Sequence, residues 1–320
     1  MRIVLCYPVE KQHLRQIAEA APAAEIVDAG QERVAEELFA ADVFCGHAKV
    51  PVDWDGVVRG GRLKWIQSSA AGMDHCLVPS VVESEILVTS ASGLLADQVA
   101  EQATALLMAT LRSLPTFFRA QQKREFIRRP TSDLHHSTIG IVGFGGVGRR
   151  IAEVLSAFKT RILATDYFPF QKPPHVDELW PADRLHDVLG AVDIVILAVP
   201  LTPATRGMID REAFRSMRPG AILINVARGK LVDEPALIDA LESGHLSAAA
   251  VDVTAEEPLS ESSPLWAMPN VIITPHVGGQ SSRRIEQVTD FFCENLRRYQ
   301  NGEPLKNLID KRLGFPVRRP

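Results

Sequence analysis

The sequence predicts an α/β chain built as two domains, each around a parallel sheet. Two features carry that prediction. With 320 residues the chain is too long for one ordinary compact core. Short apolar runs also alternate with amphipathic stretches twice over, once before about residue 95 and again from Thr138 to about Gly279.

In the first series the strands are expected at Ile3–Cys6, Glu25–Asp28, Asp42–Cys45, Leu63–Gln67 and Leu87–Thr89, punctuated by Gly30, Gly46, Gly60-Gly61 and Gly72. From Asp97 to about Thr110 the strong helix formers Ala, Glu, Gln, Leu and Met dominate, and Pro115 ends or kinks the helix they predict. Its apolar face, with Val99, Ala103, Leu106, Leu107 and Leu111, suits an intramolecular core or a dimer contact. The second series predicts strands at Thr138–Val142, Arg161–Thr165, Asp193–Ala198, Ala221–Asn225, Ala248–Val251 and Val271–Thr274, with helices such as Gly148–Phe158 and Glu234–Ser243 between them. Six strands with intervening helices match a doubly wound nucleotide-binding sheet. An amphipathic helix over Ser281–Gln300 then leads back to the first domain. The expected borders are 1–96 with 286–320 for a substrate domain and 97–285 for a nucleotide domain.

Hydrophobic residues make up 46% and charged residues 23%, which excludes a disordered chain, and a formal net charge of −4 gives no bulk support to a nucleic-acid partner. Short basic clusters, Arg128-Arg129 and Arg318-Arg319, read as solvated. Cys6, Cys45, Cys76 and Cys293 form no C-x-x-C pair, which suits reduced thiols in a cytoplasmic protein and neither a disulfide framework nor a metal site. The apolar run at the start is too short for a signal peptide, and no stretch has the length of a membrane span.

Gly143-Phe144-Gly145-Gly146-Val147-Gly148 is G-x-G-x-x-G between a buried strand and a helix. In that context Gly143 permits the tight turn, Gly145 lets a pyrophosphate approach the backbone and Gly148 lets the helix pack on the strand. Gly146 and Val147 lie at the helix start, whose free N–H groups bind phosphate. Asp166, 23 residues after Gly143 at the end of the next strand, is placed to grip the adenosine ribose and to repel a 2′-phosphate, which selects NAD. A turn aspartate is the plain alternative. The Val199-Pro200 loop leaves the sheet where a cofactor borders it, with Thr205 in the same loop, although a simple turn explains any one of these residues.

Three polar residues follow later strands, Arg228 after Ala221–Asn225, Glu257 after Ala248–Val251 and His276 after Val271–Thr274. An arginine binds both oxygens of a 2-oxo acid's carboxylate and polarises the carbonyl. A histidine exchanges a proton with the oxygen that becomes an alcohol, and a carboxylate behind it orients the ring. Singly they suit a solvated cation, a loop charge and a satisfied loop histidine. In this order behind a nucleotide turn they make a catalytic set.

These segments resemble the D-isomer-specific 2-hydroxyacid dehydrogenase family over nearly the whole chain. The shared segments include Gly143–Gly148 with Asp166, Asn225–Gly229, Asp252–Pro258 and Pro275–Gly279, together with Leu63–Gln67 leading into Ala71-Gly72-Met73-Asp74, and Asn301–Leu305. The resemblance implies two Rossmann-like or flavodoxin-like domains with a cleft between them, and a homodimer built on the cofactor domains. It implies Arg228 for carboxylate binding, His276 as acid/base and Glu257 as its partner, with Asp252 on the nicotinamide carboxamide. Ala227, His276 and Gly278 are further expected cofactor contacts, and the N–H groups of Ala71 and Gly72 would hold the substrate carboxylate. The chain departs from the family's usual pattern at Thr254, where phenylalanine is common, at Tyr167, where arginine is frequent, and in having no tryptophan between Phe118 and Ser137. Glyoxylate or hydroxypyruvate reduction is the default expectation. The alternatives are a phosphite-type dehydrogenase of the same family, which keeps the same triad, and an NAD-sensing corepressor-like dimer without turnover. His47, Lys49 and His75 are candidates for the wall of the substrate site.

Overall fold

A computed structural model describes residues 1–317; Arg318 and Arg319 lie outside the described residues. The chain forms two compact units, one holding Met1–Leu95 and the segment from Ser281 on, the other Ala96–Gln280. The second border falls five residues before the expected 285/286.

In the first unit the strands β1 (Arg2–Cys6), β2 (Glu25–Asp28), β3 (Val43–Gly46), β4 (Trp65–Ser68) and β5 (Leu87–Thr89) alternate with helices α1 (Lys11–Ala20), α2 (Gly30–Glu37), α3 (Trp54–Arg59) and α4 (Pro79–Glu83). The sheet is parallel throughout, in the order β2-β1-β3-β4-β5, which is the flavodoxin-like order. Side chains alternate between its two covered faces. Val4, Cys6, Phe44 and Ile66 meet Val34, Trp54 and Val81 on one side, while Ile3, Leu5, Val43, Cys45 and Trp65 meet Ile17 on the other. Coverage on both faces explains why these strands read as continuous apolar runs.

The second unit begins with α5 (Ala96–Leu111) and α6 (Leu114–Gln122). Pro115 occupies the first turn of α6, where its missing N–H costs nothing, so it opens a new helix. Next come β6 (Thr138–Val142), α7 (Gly146–Ser156), β7 (Arg161–Asp166), β8 (Glu178–Pro181), α8 (Leu185–Ala191) and β9 (Ile194–Leu197). The unit closes with α9 (Arg211–Ser216), β10 (Ala221–Asn225), α10 (Glu234–Glu242), β11 (Leu246–Val251) and β12 (Val271–Ile273). The sheet has seven parallel strands, not six, in the order β12-β11-β10-β9-β6-β7-β8. The extra strand is β8, a half-buried edge whose Trp and Pro gave no alternating signal. Ile194, Ile196, Ile222 and Ile224 face α5 and α7, while Val195, Leu197 and Leu223 face α8, α9 and α10. The strand order reverses between β6 and β9, the switch point where doubly wound sheets bind ligands beyond their carboxyl ends. The apolar face expected on α5 is met inside this unit, since Ala103, Leu106, Leu107 and Leu111 are buried against the sheet and α7.

The last helix, α11 (Arg284–Gln300), belongs to the first unit and buries Val288, Phe292, Cys293 and Leu296. The Trp65 ring stacks on Tyr299 at 5.2 Å between centroids. Asn295 Nδ2 donates to Gln67 Oε1 at 3.0 Å. A short antiparallel ribbon, Ile309–Asp310 with Phe315–Pro316, follows.

All four cysteines are free and buried. Burial pushes the thiols of Cys6 and Cys293 up to about 11 and that of Cys76 up to about 12, and raises Cys45 as well. Thiolate is the reacting species. Titration of the native protein with an aromatic disulfide at pH 8 is therefore expected to find fewer than about one reactive thiol per chain, and about four in denaturant. Rapid native labelling of several thiols would contradict this packing.

Candidate active site

The turn between β6 and α7 is built around three glycines. Gly143 has φ +96°, and a side chain there would place Cβ at 2.7 Å from the Ala198 carbonyl and from Val199 Cγ1. A Cβ on Gly148 would lie at 2.0 Å from the Gly143 carbonyl oxygen, so α7 starts against the turn only without one. The Cβ position of Gly145 meets nothing within 4 Å. That space, beside a helix start with no side-chain cap, is a cradle for an anionic group. The free amide groups of Gly146, Val147 and Gly148 begin α7. A dinucleotide's pyrophosphate fits these residues.

Asp166 ends β7 beside this turn. Its Oδ2 accepts the Phe144 N–H at 2.7 Å and its Oδ1 accepts the Phe168 N–H at 2.9 Å. Each oxygen keeps a further lone pair for a ligand hydroxyl. The backbone amides thus fix the carboxylate at the edge of the cradle. The Arg149 guanidinium lies over the Phe144 ring, 4.6 Å from its centroid, and donates to the Gln171 and Phe170 carbonyls. Beyond β9, Val199 abuts Gly143. The Thr205 hydroxyl donates to the Pro200 carbonyl at 2.7 Å and accepts the Thr202 N–H at 2.8 Å. Thr205 therefore staples the loop that holds Val199 and Pro200 in place.

Arg228 lies in the turn after β10. Asn225 pins that turn at both ends, its Oδ1 accepting the Ala227 N–H at 3.0 Å and its Nδ2 donating to the Arg228 carbonyl at 2.9 Å. The preference of asparagine for such turns was the signal available in the sequence for this role. Gly229 follows, where a Cβ would lie 1.9 Å from the Thr254 carbonyl, so the Arg228 turn packs directly on the loop after β11.

That loop carries Glu257, and the loop after β12 carries His276. Glu257 Oε2 lies 2.9 Å from His276 Nδ1, and both side chains are partly exposed at 41% and 45%. With Nδ1 engaged by the carboxylate, Nε2 is left to face a substrate. His276 has φ +54°, a left-handed backbone that a histidine adopts only when its surroundings impose it.

Asp252 supplies those surroundings. It is 2% exposed, and its Oδ2 accepts the Gly278 N–H at 2.7 Å. Its Oδ1 accepts the Val277 N–H at 3.0 Å and the Thr274 hydroxyl at 2.5 Å, and its carbonyl accepts the His276 N–H at 2.7 Å. A Cβ on Gly278 would lie 2.9 Å from Asp252 Oδ2, so that glycine lets the loop close on the carboxylate. Gln102 on α5 donates to the Thr274 hydroxyl at 3.0 Å and extends the network. Sequence reading assigned Asp252 to a cofactor contact and missed its grip on the His276 loop. It also missed Gln102, which lies 150 residues away in the chain from Asp252.

In the first unit, β4 ends in the turn Ser69–Met73. Ser68 Oγ accepts the Ala70 N–H at 3.0 Å. Among the described residues the N–H groups of Ala71 and Gly72 donate to no protein acceptor. Two successive unpaired N–H donors make a binding site for an anion.

The sequence model of the NAD binding domain of D-isomer specific 2-hydroxyacid dehydrogenases matches residues 104–278. The glyoxylate reductase of Pyrococcus furiosus is 34% identical over 300 residues, which cover 91% of this chain and 88% of that protein. The chain belongs to the D-isomer specific 2-hydroxyacid dehydrogenase family. Solved structures agree. A family member from Xanthobacter autotrophicus, in complex with NADPH, superimposes with a TM-score of 0.82 at 29% identity, covering 98% of this chain and 99% of that one. An NADPH-dependent glyoxylate/hydroxypyruvate reductase from Sinorhizobium meliloti, in complex with NADP, gives 0.83 at 25% identity, with 98% and 99% covered. As a member of this family the chain is an NAD(P)-dependent oxidoreductase of small hydroxy and oxo acids, and the glycine turn belongs to an NAD(P)-binding domain. No helix among the described residues is long and apolar enough to cross a membrane.

Proposed function

We propose that the protein is an NAD-dependent D-2-hydroxyacid dehydrogenase that reduces a small 2-oxo acid of the glyoxylate or hydroxypyruvate type. The observation that carries this reading is the His276–Glu257 pair at 2.9 Å, at the carboxyl edge of the sheet that also bears the phosphate cradle. Gly143, Gly145, Gly146, Val147 and Gly148 would hold the pyrophosphate and Asp166 the adenosine ribose. Val199, Pro200, Thr205, Ala227, Asp252 and Gly278 would line the rest of the cofactor. Nicotinamide supplies the hydride chemistry when bound.

The chain's own residues do the remaining work. In reduction His276 Nε2–H donates a proton to the carbonyl oxygen as it becomes a hydroxyl, and in oxidation Nε2 takes it back. Glu257 at Nδ1 holds the ring in that orientation. Arg228 binds the substrate carboxylate and polarises the adjacent carbonyl, and the Ala71 and Gly72 amides take carboxylate oxygens.

The preference for NAD rests on Asp166, because a carboxylate fixed at the ribose edge accepts hydroxyl hydrogens and repels a 2′-phosphate. The relatives crystallised with NADP or NADPH make this a point to measure. Wild-type enzyme is expected to favour NADH over NADPH by at least about tenfold in kcat/KM, and Asp166→Ala to narrow that ratio by about tenfold. An unchanged ratio would remove Asp166 from cofactor selection. Turnover of no 2-oxo acid in a panel running from glyoxylate to a bulky aromatic one would defeat the dehydrogenase reading itself.

A homodimer is part of the proposal. Leu114, Phe118, Phe126 and Ile127 on and after α6 are exposed, Phe126 at 91%, and a second copy would cover them. Light scattering behind size exclusion is expected to read twice the chain mass. A cytoplasmic location is supported by the four reduced, buried thiols.

A further inference from the structure

Glu257 serves His276 only while its carboxylate stays at Nδ1, and nothing in a glutamate side chain keeps it there. The side chain turns about several torsions and is partly exposed, so one bond to a partly exposed ring holds it weakly. The loop that carries it must supply the missing constraint. After β11 the chain is buried through Asp252 and Val253. It rises through Thr254 and Ala255, which are half-buried, to Glu256 and Glu257, which are exposed.

Several contacts brace this loop. A Cβ on Gly229 would lie 1.9 Å from the Thr254 carbonyl, so the Arg228 turn closes directly on Thr254. Glu234, in the first turn of α10, accepts the Ala255 N–H through Oε2 at 3.3 Å. The Thr254 hydroxyl donates to the Glu256 carbonyl at 2.6 Å. A bond from a side chain to the carbonyl two residues on folds the backbone into a turn. The turn brings Glu257 Oε1 within 3.4 Å of the Thr254 N–H, which donates to it. One carboxylate oxygen thus faces the loop's own backbone, while the other, Oε2, meets His276 Nδ1 at 2.9 Å. Thr254 is also a position where the chain departs from the family's usual pattern, and the phenylalanine common there has no hydroxyl to make this bond.

We propose that Thr254 is a positioning residue for the acid/base pair: its hydroxyl closes the loop so that Glu257 presents Oε2 to His276 Nδ1. The inference rests on the dehydrogenase reading above and adds to that site a residue acting through Glu257. Loss of its hydroxyl can therefore cost no more than loss of the Glu257 carboxylate.

The test is a double-mutant cycle of Thr254→Val, which deletes the hydroxyl and keeps a side chain of similar shape, with Glu257→Ala. The assay is NADH oxidation with the 2-oxo acid that the panel selects. With Glu257 present, Thr254→Val is expected to lower kcat by about three- to tenfold, the worth of one neutral hydrogen bond, and to leave the KM for NADH within about twofold. In the Glu257→Ala background the same substitution is expected to change kcat by less than about twofold, because the carboxylate it steers is gone. Thr254→Ser retains the hydroxyl and is expected to recover most of the loss. Wild-type kcat in Thr254→Val, an equal loss in both backgrounds, or a serine variant as slow as valine overturns the proposal.

The pair is also read without turnover. Two-bond proton–nitrogen correlations show which nitrogen of the neutral His276 ring carries the proton, and the partner at the other nitrogen sets that choice. With Glu257 accepting at Nδ1, wild type is expected to hold the Nδ1–H form. Thr254→Val is expected to gain the Nε2–H form toward its share in Glu257→Ala, and Thr254→Ser to stay with wild type. A tautomer that shifts in this way, in a protein that reduces no 2-oxo acid, would sink the dehydrogenase reading and keep the role of Thr254. Turnover with a tautomer unchanged in Thr254→Val would do the reverse.

Discussion

Replacing His276 with alanine is expected to lower kcat by about 10³-fold while leaving NADH binding near its wild-type level, because the variant loses proton transfer and keeps the phosphate cradle. A loss of that size corresponds to about 4 kcal/mol of transition-state stabilisation. Alanine at φ +54° adds a backbone strain of about 1 kcal/mol, which could lower activity by loosening the loop rather than by removing the acid. His276→Asn separates the two causes. Asparagine accepts the left-handed backbone but exchanges no proton near neutral pH. If chemistry is what is lost, the asparagine variant is as slow as alanine, and the limb of the kcat profile that reports the acid/base group disappears in both. Recovery of a tenth or more of wild-type kcat in the asparagine variant would reduce His276 to a loop-shaping residue. Glu257→Gln should be milder, about tenfold to a hundredfold, since the amide can still accept from Nδ1 but through one oxygen and without a charge-assisted hydrogen bond.

What could be read in the sequence was what nearby residues dictate. The strands of both sheets announced themselves because helices cover both faces, which demands apolar residues at successive positions, as in Ile194–Leu197 and Ala221–Asn225. The glycine turn was legible because Gly143 and Gly148 answer to contacts within the same βα unit and the loop beside it. Elsewhere the local signal misled by a few residues. Strand β11 starts at Leu246 and not Ala248, since a register shift between Ala221 and Ile222 draws Leu246 into pairing. Helix α11 starts at Arg284 and not Ser281, because the Ser281 hydroxyl accepts the Arg283 N–H and holds a turn ahead of it. Helix α7 starts earlier than expected, at Gly146, because the unencumbered glycines let it begin inside the turn.

The remainder is tertiary. The Glu257–His276 pair spans 19 positions and was anticipated from the order of polar residues after successive strands and from the family's motif, whereas the His47–His75 stack and the link from Gln102 to Thr274 join residues with no shared periodicity. Nothing local tells a buried acceptor such as Asp252 from a ligand-binding one. Both are aspartates after an apolar strand, and only the positions of the Val277 and Gly278 amides decide that this carboxylate is held by its own fold.

Asp252→Ala is accordingly expected to be damaging in stability as well as in turnover. The side chain is buried and serves two backbone amides and the Thr274 hydroxyl. Its removal leaves those donors without acceptors at about 1–3 kcal/mol each, partly recovered by relaxation and water, for a net loss of about 3–5 kcal/mol. In a unit of this size that lowers the melting midpoint by roughly 10 °C. The same loop carries His276, directly before the Val277 and Gly278 amides that the carboxylate holds, so kcat should fall by at least about a hundredfold with the loop free to leave its left-handed geometry. Asp252→Asn sharpens the reading. Asparagine retains one oxygen acceptor but turns an NH2 group toward at least one donor, and should fall between wild type and alanine in stability. Gln102→Leu removes only the outermost member and leaves Asp252 its amides, so a loss of about tenfold or less in kcat, with a melting midpoint within a few degrees of wild type, is expected. A melting midpoint for Asp252→Ala equal to that of wild type, with NADH affinity alone reduced, would instead assign the carboxylate to the cofactor and not to the loop.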